Sequence, residues 1–127
     1  MKRRQLLFTL LKSLALGIFA GRSAAAQDDL DPVKLMPDTH KVIFENPFVR
    51  VVEGRVPAGG TEIKHRHPHN VVIFLADFDA EIRTFPDAKW TPAHRTFGTA
   101  VWNEASVHEV KIGANAPTHT IRVELKC

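Results

Sequence analysis

The sequence predicts an all-β sandwich or barrel, and three observations carry that prediction. Short runs rich in β-branched and aromatic residues recur along the chain, with turn signals about every eight to twelve residues. The run His119 to Lys126 alternates fully: Ile121, Val123 and Leu125 share one face, and Thr120, Arg122, Glu124 and Lys126 share the other. No stretch after the first 26 residues holds the period of about 3.6 residues long enough for a helix.

The elements follow in order. Asp28 to Asp38 is acidic and contains Pro32 and Pro37, so residues 27–39 read as a linker or extended N-terminal arm. Lys41-Val42-Ile43-Phe44 is a short strand, and Glu45-Asn46-Pro47 a turn. Phe48 to Val56 is a strand in which Gly54 suggests a bulge. Pro57-Ala58-Gly59-Gly60 turns into the strand Thr61 to His67, and Val71 to Leu75 follows as an apolar strand. In Ala80 to Phe85, the residues Ala80, Ile82 and Thr84 alternate with charged or bulky neighbours. Trp90 to Phe97 is a strand interrupted by Pro92. Thr99 to Trp102 and Val107 to Ile112 come next, joined by a turn, and Gly113 to Pro117 is the last loop. These strands place one domain at residues 40–127, a size that builds a single core without disulfides.

The first 26 residues have a different character. Lys2, Arg3 and Arg4 precede an apolar stretch from Leu6 to Ala20, and Ala24 and Ala26 form a small-residue cleavage site. Residues 1–26 therefore read as a signal peptide, and the domain as periplasmic or secreted. Lys12 leaves the apolar stretch short of the roughly 20 residues of a spanning helix. Arg3-Arg4 raises twin-arginine export beside the general route. Lys2, Arg3, Arg4, Lys12 and Arg22 all fall in this leader; without them 12 basic residues face 14 acidic ones. The basic balance of the whole chain thus belongs to the leader and gives no support to nucleic-acid binding. The one cysteine, Cys127, excludes an intrachain disulfide.

The chemistry concentrates in His65-Arg66-His67-Pro68-His69. On a strand, side chains two apart point the same way, so His65 and His67 sit on one face roughly 6.6 Å apart at the backbone. Two imidazoles at that spacing can converge on one ion. His69 shares their parity but lies roughly 13 Å from His65 on a straight strand, and Pro68 signals that the strand bends or ends. His69 is therefore a weaker candidate, a fourth ligand at most. Solvent-exposed histidines on an edge strand would give the same local pattern.

Gly59, five residues, then His65-x-His67 resembles the first motif of the cupin family. Gly98 to His108, a tight turn followed by a strand with a lone histidine, resembles the second motif, and the ending Val123-Glu124-Leu125-Lys126 resembles that of small single-domain cupins. The resemblance covers residues 41 to 126. It implies a jelly-roll barrel with a metal site at one mouth, His108 joining His65 and His67, and dimers formed through N-terminal strands, here residues 30 to 44. The sequence departs from the pattern where a glutamate ligand usually follows His67 after three or four intervening residues: Val71 and Val72 stand there. Glu104, Ser106 and Ile112 replace the proline, glycine and asparagine of the second motif, whose turn is one residue short.

A three-histidine site suits iron, zinc, copper or nickel, and three protein ligands with an open position is the form of a catalytic site. The leader and the resemblance together imply an exported metal-binding protein acting on a small molecule, as a dioxygenase or isomerase. A non-catalytic module binding a small molecule or the metal itself is the alternative, and an empty structural barrel the third. Val72, Phe74, Trp102, Ile121 and Val123 are expected to line the pocket. His94 reads as a surface residue, His40 and His119 as structural, and Glu104 as a solvated turn carboxylate.

Overall fold

The computed structural model describes residues 29–127; the expected signal peptide lies outside them. The described residues form nine strands after one turn of helix, α1 (Pro32–Leu35). The strands are β1 (His40–Glu45), β2 (Val49–Val56), β3 (Thr61–His67), β4 (Asn70–Phe74), β5 (Phe78–Thr84), β6 (Thr91–Arg95), β7 (Ala100–Asn103), β8 (Ser106–Ile112) and β9 (Thr118–Leu125). They build two antiparallel sheets, a five-stranded one in the order β1-β2-β9-β4-β7 and a four-stranded one in the order β3-β8-β5-β6. Consecutive strands cross repeatedly from one sheet to the other, which is the jelly-roll form of an all-β barrel. Among the described residues no helix is long and apolar enough to cross a membrane.

Each predicted strand is present within a residue or two of its expected ends. Pro92 sits in β6, an edge strand paired to β5 alone. An edge position tolerates the missing N–H because one side of the strand makes no ladder bonds.

Two expectations are corrected. Of the expected linker or extended arm, residues 30–39 are docked on the barrel. Asp31 caps α1 by accepting from Val33 N at 3.0 Å, Pro32 is buried at the first helical position, and Arg66 N donates to Leu30 O at 2.8 Å. The guanidinium of Arg50 holds Asp31 through two hydrogen bonds of 2.9 Å. Gly54 is not a bulge: β2 pairs with β9 in unbroken register from Val49 to Val56. The irregularities lie instead in β1, between Val42 and Phe44, and in β3, between Glu62 and His65.

Gly54 serves space. A Cβ there would stand 2.8 Å from Thr120 Oγ1, 3.8 Å from His40 Nε2 and 3.9 Å from His40 Cδ2, on the inner face of the barrel. Gly54→Ala is expected to cost about 1–3 kcal/mol through this overpacking, read as a lower urea midpoint at unchanged slope.

The interior divides into two ends. Val56, Val72, Phe74, Phe78, Ala80, Val110 and Ile112 pack into one apolar cluster that closes one end. At the other end the inward positions are polar: His65, His67 and Asn70 are among the most deeply buried side chains of the molecule, with Glu62 and Glu124 also buried. Burying so many polar groups together is costly unless each finds a partner, so their bonding defines the site.

Candidate metal centre

β3 and β8 supply the histidines. His65 pairs directly with His108 across the two strands, and His67 with Ser106. His65 Nε2 lies 2.9 Å from His67 Nε2 and 2.9 Å from His108 Nε2. The three rings stand edge to face, with centroids 4.5–5.1 Å apart. Their ligand atoms all lie within 4.8 Å of one another, as expected of a metal-binding set.

The far sides of two rings are anchored. His65 Nδ1 bonds Ile63 O at 2.6 Å, and His67 Nδ1 bonds Glu124 Oε2 at 3.1 Å. Each acceptor receives a hydrogen bond from Nδ1–H, which leaves the Nε2 lone pair turned into the cluster. Burial pushes the pKa of all three rings down: His65 below its ordinary range, His67 well below it, and His108 to about 3. The imidazoles are therefore neutral at pH 7, the form that ligates a metal. The chemistry of the donor set fits a divalent ion held by His65, His67 and His108.

Glu124 organises the support. Its Oε1 accepts from Arg50 Nε at 2.7 Å while its Oε2 meets His67. A chain of contacts thus runs from Asp31 at the cap of α1 through Arg50 and Glu124 to His67. Burial raises the Glu124 pKa, and Arg50 works against that rise.

A second carboxylate, which the sequence reading did not assign, belongs to the site. Glu62 Oε1 bonds His40 Nε2 at 3.1 Å and lies 3.7 Å from His65 Nε2. His40 Nδ1 in turn meets Thr39 Oγ1 at 2.8 Å. Burial would raise the Glu62 carboxyl, but the hydrogen bond with His40 and the surrounding histidines hold it below its ordinary range. Glu62 and His65 are three positions apart, which on a regular strand puts them on opposite faces. The bulge in β3 restores both to the interior: Glu62 and His65 are buried, while Ile63 and Lys64 between them are exposed. His40, read as structural, thereby becomes a partner of the site.

Other expected site residues stand elsewhere. His69 is not with the cluster: its Nε2 meets Glu104 Oε2 at 2.8 Å, its ring stacks on Trp102 with centroids 5.9 Å apart, and half of its side chain is exposed. The chain turns between β3 and β4 at Pro68, which breaks the parity with His67. Trp102 faces outward and is exposed, because β7 sends Val101 and Asn103 inward. Ile121 and Val123 are likewise outside the cavity; Thr118, Thr120, Arg122 and Glu124 are the inward face of β9. The apolar face of that strand instead extends an aliphatic row across the outside of the five-stranded sheet, with Val123 between Val51 and Val71. Val72 and Phe74 do line the cavity, as expected. His119 bonds Glu53 on the outer face, and exposed His94 meets Asp79.

The cavity has a volume of about 350 Å³. His67, His108, Glu62, Asn70 and Arg122 form its polar end, and Val56, Val72, Phe74, Phe78 and Val110 its apolar end. One surface holds the imidazole nitrogens, and the space beyond them accommodates a small organic molecule.

Fold and site together define a double-stranded β-barrel with converging imidazoles between its sheets. The chain has the fold of the small single-domain cupins. It resembles the crystal structure of a cupin domain from Bordetella pertussis Tohama I, with 26% identity over 69% of this chain and 92% of the other at a TM-score of 0.64. An RmlC-like cupin with a double-stranded β-helix fold from Methanocaldococcus jannaschii matches at 13% identity, covering 68% of this chain and 78% of that one, TM-score 0.55. The polyketide cyclase RemF from Streptomyces resistomycificus matches at 14%, covering 68% and 63%, TM-score 0.51. The last two likenesses concern the fold alone. No protein-family model matches the chain, and no curated protein matches it in sequence.

Proposed function

We propose that this protein is exported and binds one divalent metal ion through His65, His67 and His108, acting on a small molecule in the adjoining cavity as a dioxygenase or isomerase. The observation that carries the reading is the convergence of three Nε2 atoms, two of whose rings are anchored through Nδ1 to Ile63 O and Glu124. Iron, zinc, copper and nickel all suit three imidazoles. Bound there, the ion supplies Lewis-acid polarisation of a ligand oxygen or a site for dioxygen.

The protein's own groups divide the remaining work. Glu62, ionised and turned toward the cavity, is placed to accept a proton from a bound molecule, and His40 holds it in that orientation. The apolar end excludes water and holds the body of the ligand. Self-association through residues 30 to 44 belongs to the same proposal, supported by β1 being a sheet edge with Val42, Ile43 and Phe44 exposed. Light scattering reads it directly.

The test is elemental mass spectrometry of protein expressed with its own leader and purified without a histidine tag. About one metal per chain is expected, and almost none in a His65→Ala/His67→Ala variant. No metal in the parent, with none taken up from iron, zinc, copper or nickel salts, overturns the reading. The intact mass of the same sample, with cell fractionation, reads whether residues 1–26 have been removed and the protein exported. Tight ligand binding without turnover by the metal-loaded protein would place it instead among non-catalytic modules.

A further inference from the structure

Arg122 stands in the cavity wall with its charge unanswered by contact. It projects inward from β9 beside Val52 and Val72, its partners in the neighbouring strands. Its Nη1 donates to Asn70 Oδ1 at 2.6 Å. Among the described residues no carboxylate lies within ion-pair distance of it. Glu62 and Glu124 act on Arg122 only from further away. Each is already engaged, Glu62 with His40, and Glu124 with Arg50 and His67. Arg50 offers the contrast inside the same molecule, since it touches both Asp31 and Glu124.

A cation withdrawn from water is costly unless an anion meets it. Here the protein holds the cation in place without supplying that anion. Asn70, wholly buried, is fixed by its own bond to Pro68 O at 2.8 Å and by Asn103 at 3.3 Å. It therefore clamps one guanidinium nitrogen while Arg122 lines the cavity. A guanidinium offers a planar fork that matches a carboxylate through paired hydrogen bonds. A phosphate would want more donors than one fork. The other arginine on the cavity lining, Arg95, is exposed on β6, and the apolar part of the wall is formed by Val56, Val72, Phe74, Phe78 and Val110.

The geometry points to a small monocarboxylic acid with an apolar body as the ligand, its carboxylate on Arg122 and its body against Val72, Phe74 and Phe78. This rests on the proposed function only in taking the cavity as the ligand site; the metal is read separately.

The test is calorimetric titration of straight-chain carboxylates from acetate to octanoate, and of their neutral amides, into the untagged protein. Each series is run after chelator treatment and again after reloading with zinc, whose stoichiometry is measured. Affinity is expected to rise with chain length as apolar wall is covered. The amides should bind at least about tenfold more weakly than the acids, and Arg122→Met should bring the acids to the level of the amides. The comparison of acid with amide on the parent protein stands even where the variant fails to fold. Equal binding of acids and amides, or no binding of any carboxylate in either state, overturns the proposal. Zinc at one per chain without a preference for acids would remove the carboxylate site and leave the metal site. A preference for acids without zinc uptake would do the reverse.

Discussion

Glu124→Ala is expected to destabilise the metal-free protein by about 3 kcal/mol and, independently, to weaken metal binding about 10–100-fold. The first figure is the low end of the range of about 3–5 kcal/mol for breaking a buried ion pair, because Asp31 remains on the Arg50 guanidinium. Glu124 is 2% exposed, so its removal leaves Arg50 Nε and His67 Nδ1 without their acceptor in a place water barely reaches. The second figure follows from the role of that acceptor. It fixes the His67 tautomer and the direction of the Nε2 lone pair, and outer partners of this kind are worth that factor in affinity. Glu124→Gln retains the volume and one oxygen acceptor, so it should cost less on both counts. Urea denaturation of the metal-free protein and competitive zinc titration measure the two effects. Lost stability with unchanged zinc affinity would reduce Glu124 to a structural residue.

The same residue shows where the sequence was informative and where it stopped. His65, His67 and His108 were legible because two motifs fixed their spacing and parity on strands, and parity survives folding wherever a strand stays regular. Glu62 was hidden by a single extra residue in β3, since the bulge at positions 63 and 64 inverts the parity from which its direction would be read. In β9 the alternation was clear, but its sense was not. Hydrophobic residues usually mark the inner face, whereas here Thr120, Arg122 and Glu124 face in and Ile121 and Val123 face out. A barrel whose lumen is a polar site reverses the rule at that strand. The partnership of Glu124 with His67 spans 57 positions. It exists only because β9 lies beside β4 in one sheet while β3 lies opposite in the other. Local pattern carries no such information.

Acid should begin to destabilise the metal-free protein well above the range in which carboxylates titrate. His65, His67 and His108 have folded pKa values below their ordinary value of 6.5, burial being the first cause in each case. In the unfolded chain they return to about 6.5. Between those limits the unfolded state binds more protons than the folded one, so stability falls as pH falls. The contribution is complete above about pH 6.5 and is lost progressively toward the folded values, which for His108 lie at about 3. Each imidazole whose folded value lies below 5 removes roughly 2 kcal/mol between pH 7 and 5. His108, at about 3, meets that condition, and His65 and His67 shift in the same direction, against a whole stability of about 5–15 kcal/mol for a small domain. Urea midpoints from pH 7 to 5 are therefore expected to fall in the metal-free protein, His108 contributing close to one proton at the acid end and His65 and His67 adding to it. Replacing His67 with leucine should make that fall shallower. Zinc should raise the midpoints at neutral pH by mass action, and that gain should shrink on acidification as protons displace the metal from its ligands. Midpoints that stay level between pH 6.5 and 5 would mean that the three imidazoles carry their ordinary protons inside the barrel, and would contradict the neutral cluster on which the metal site depends.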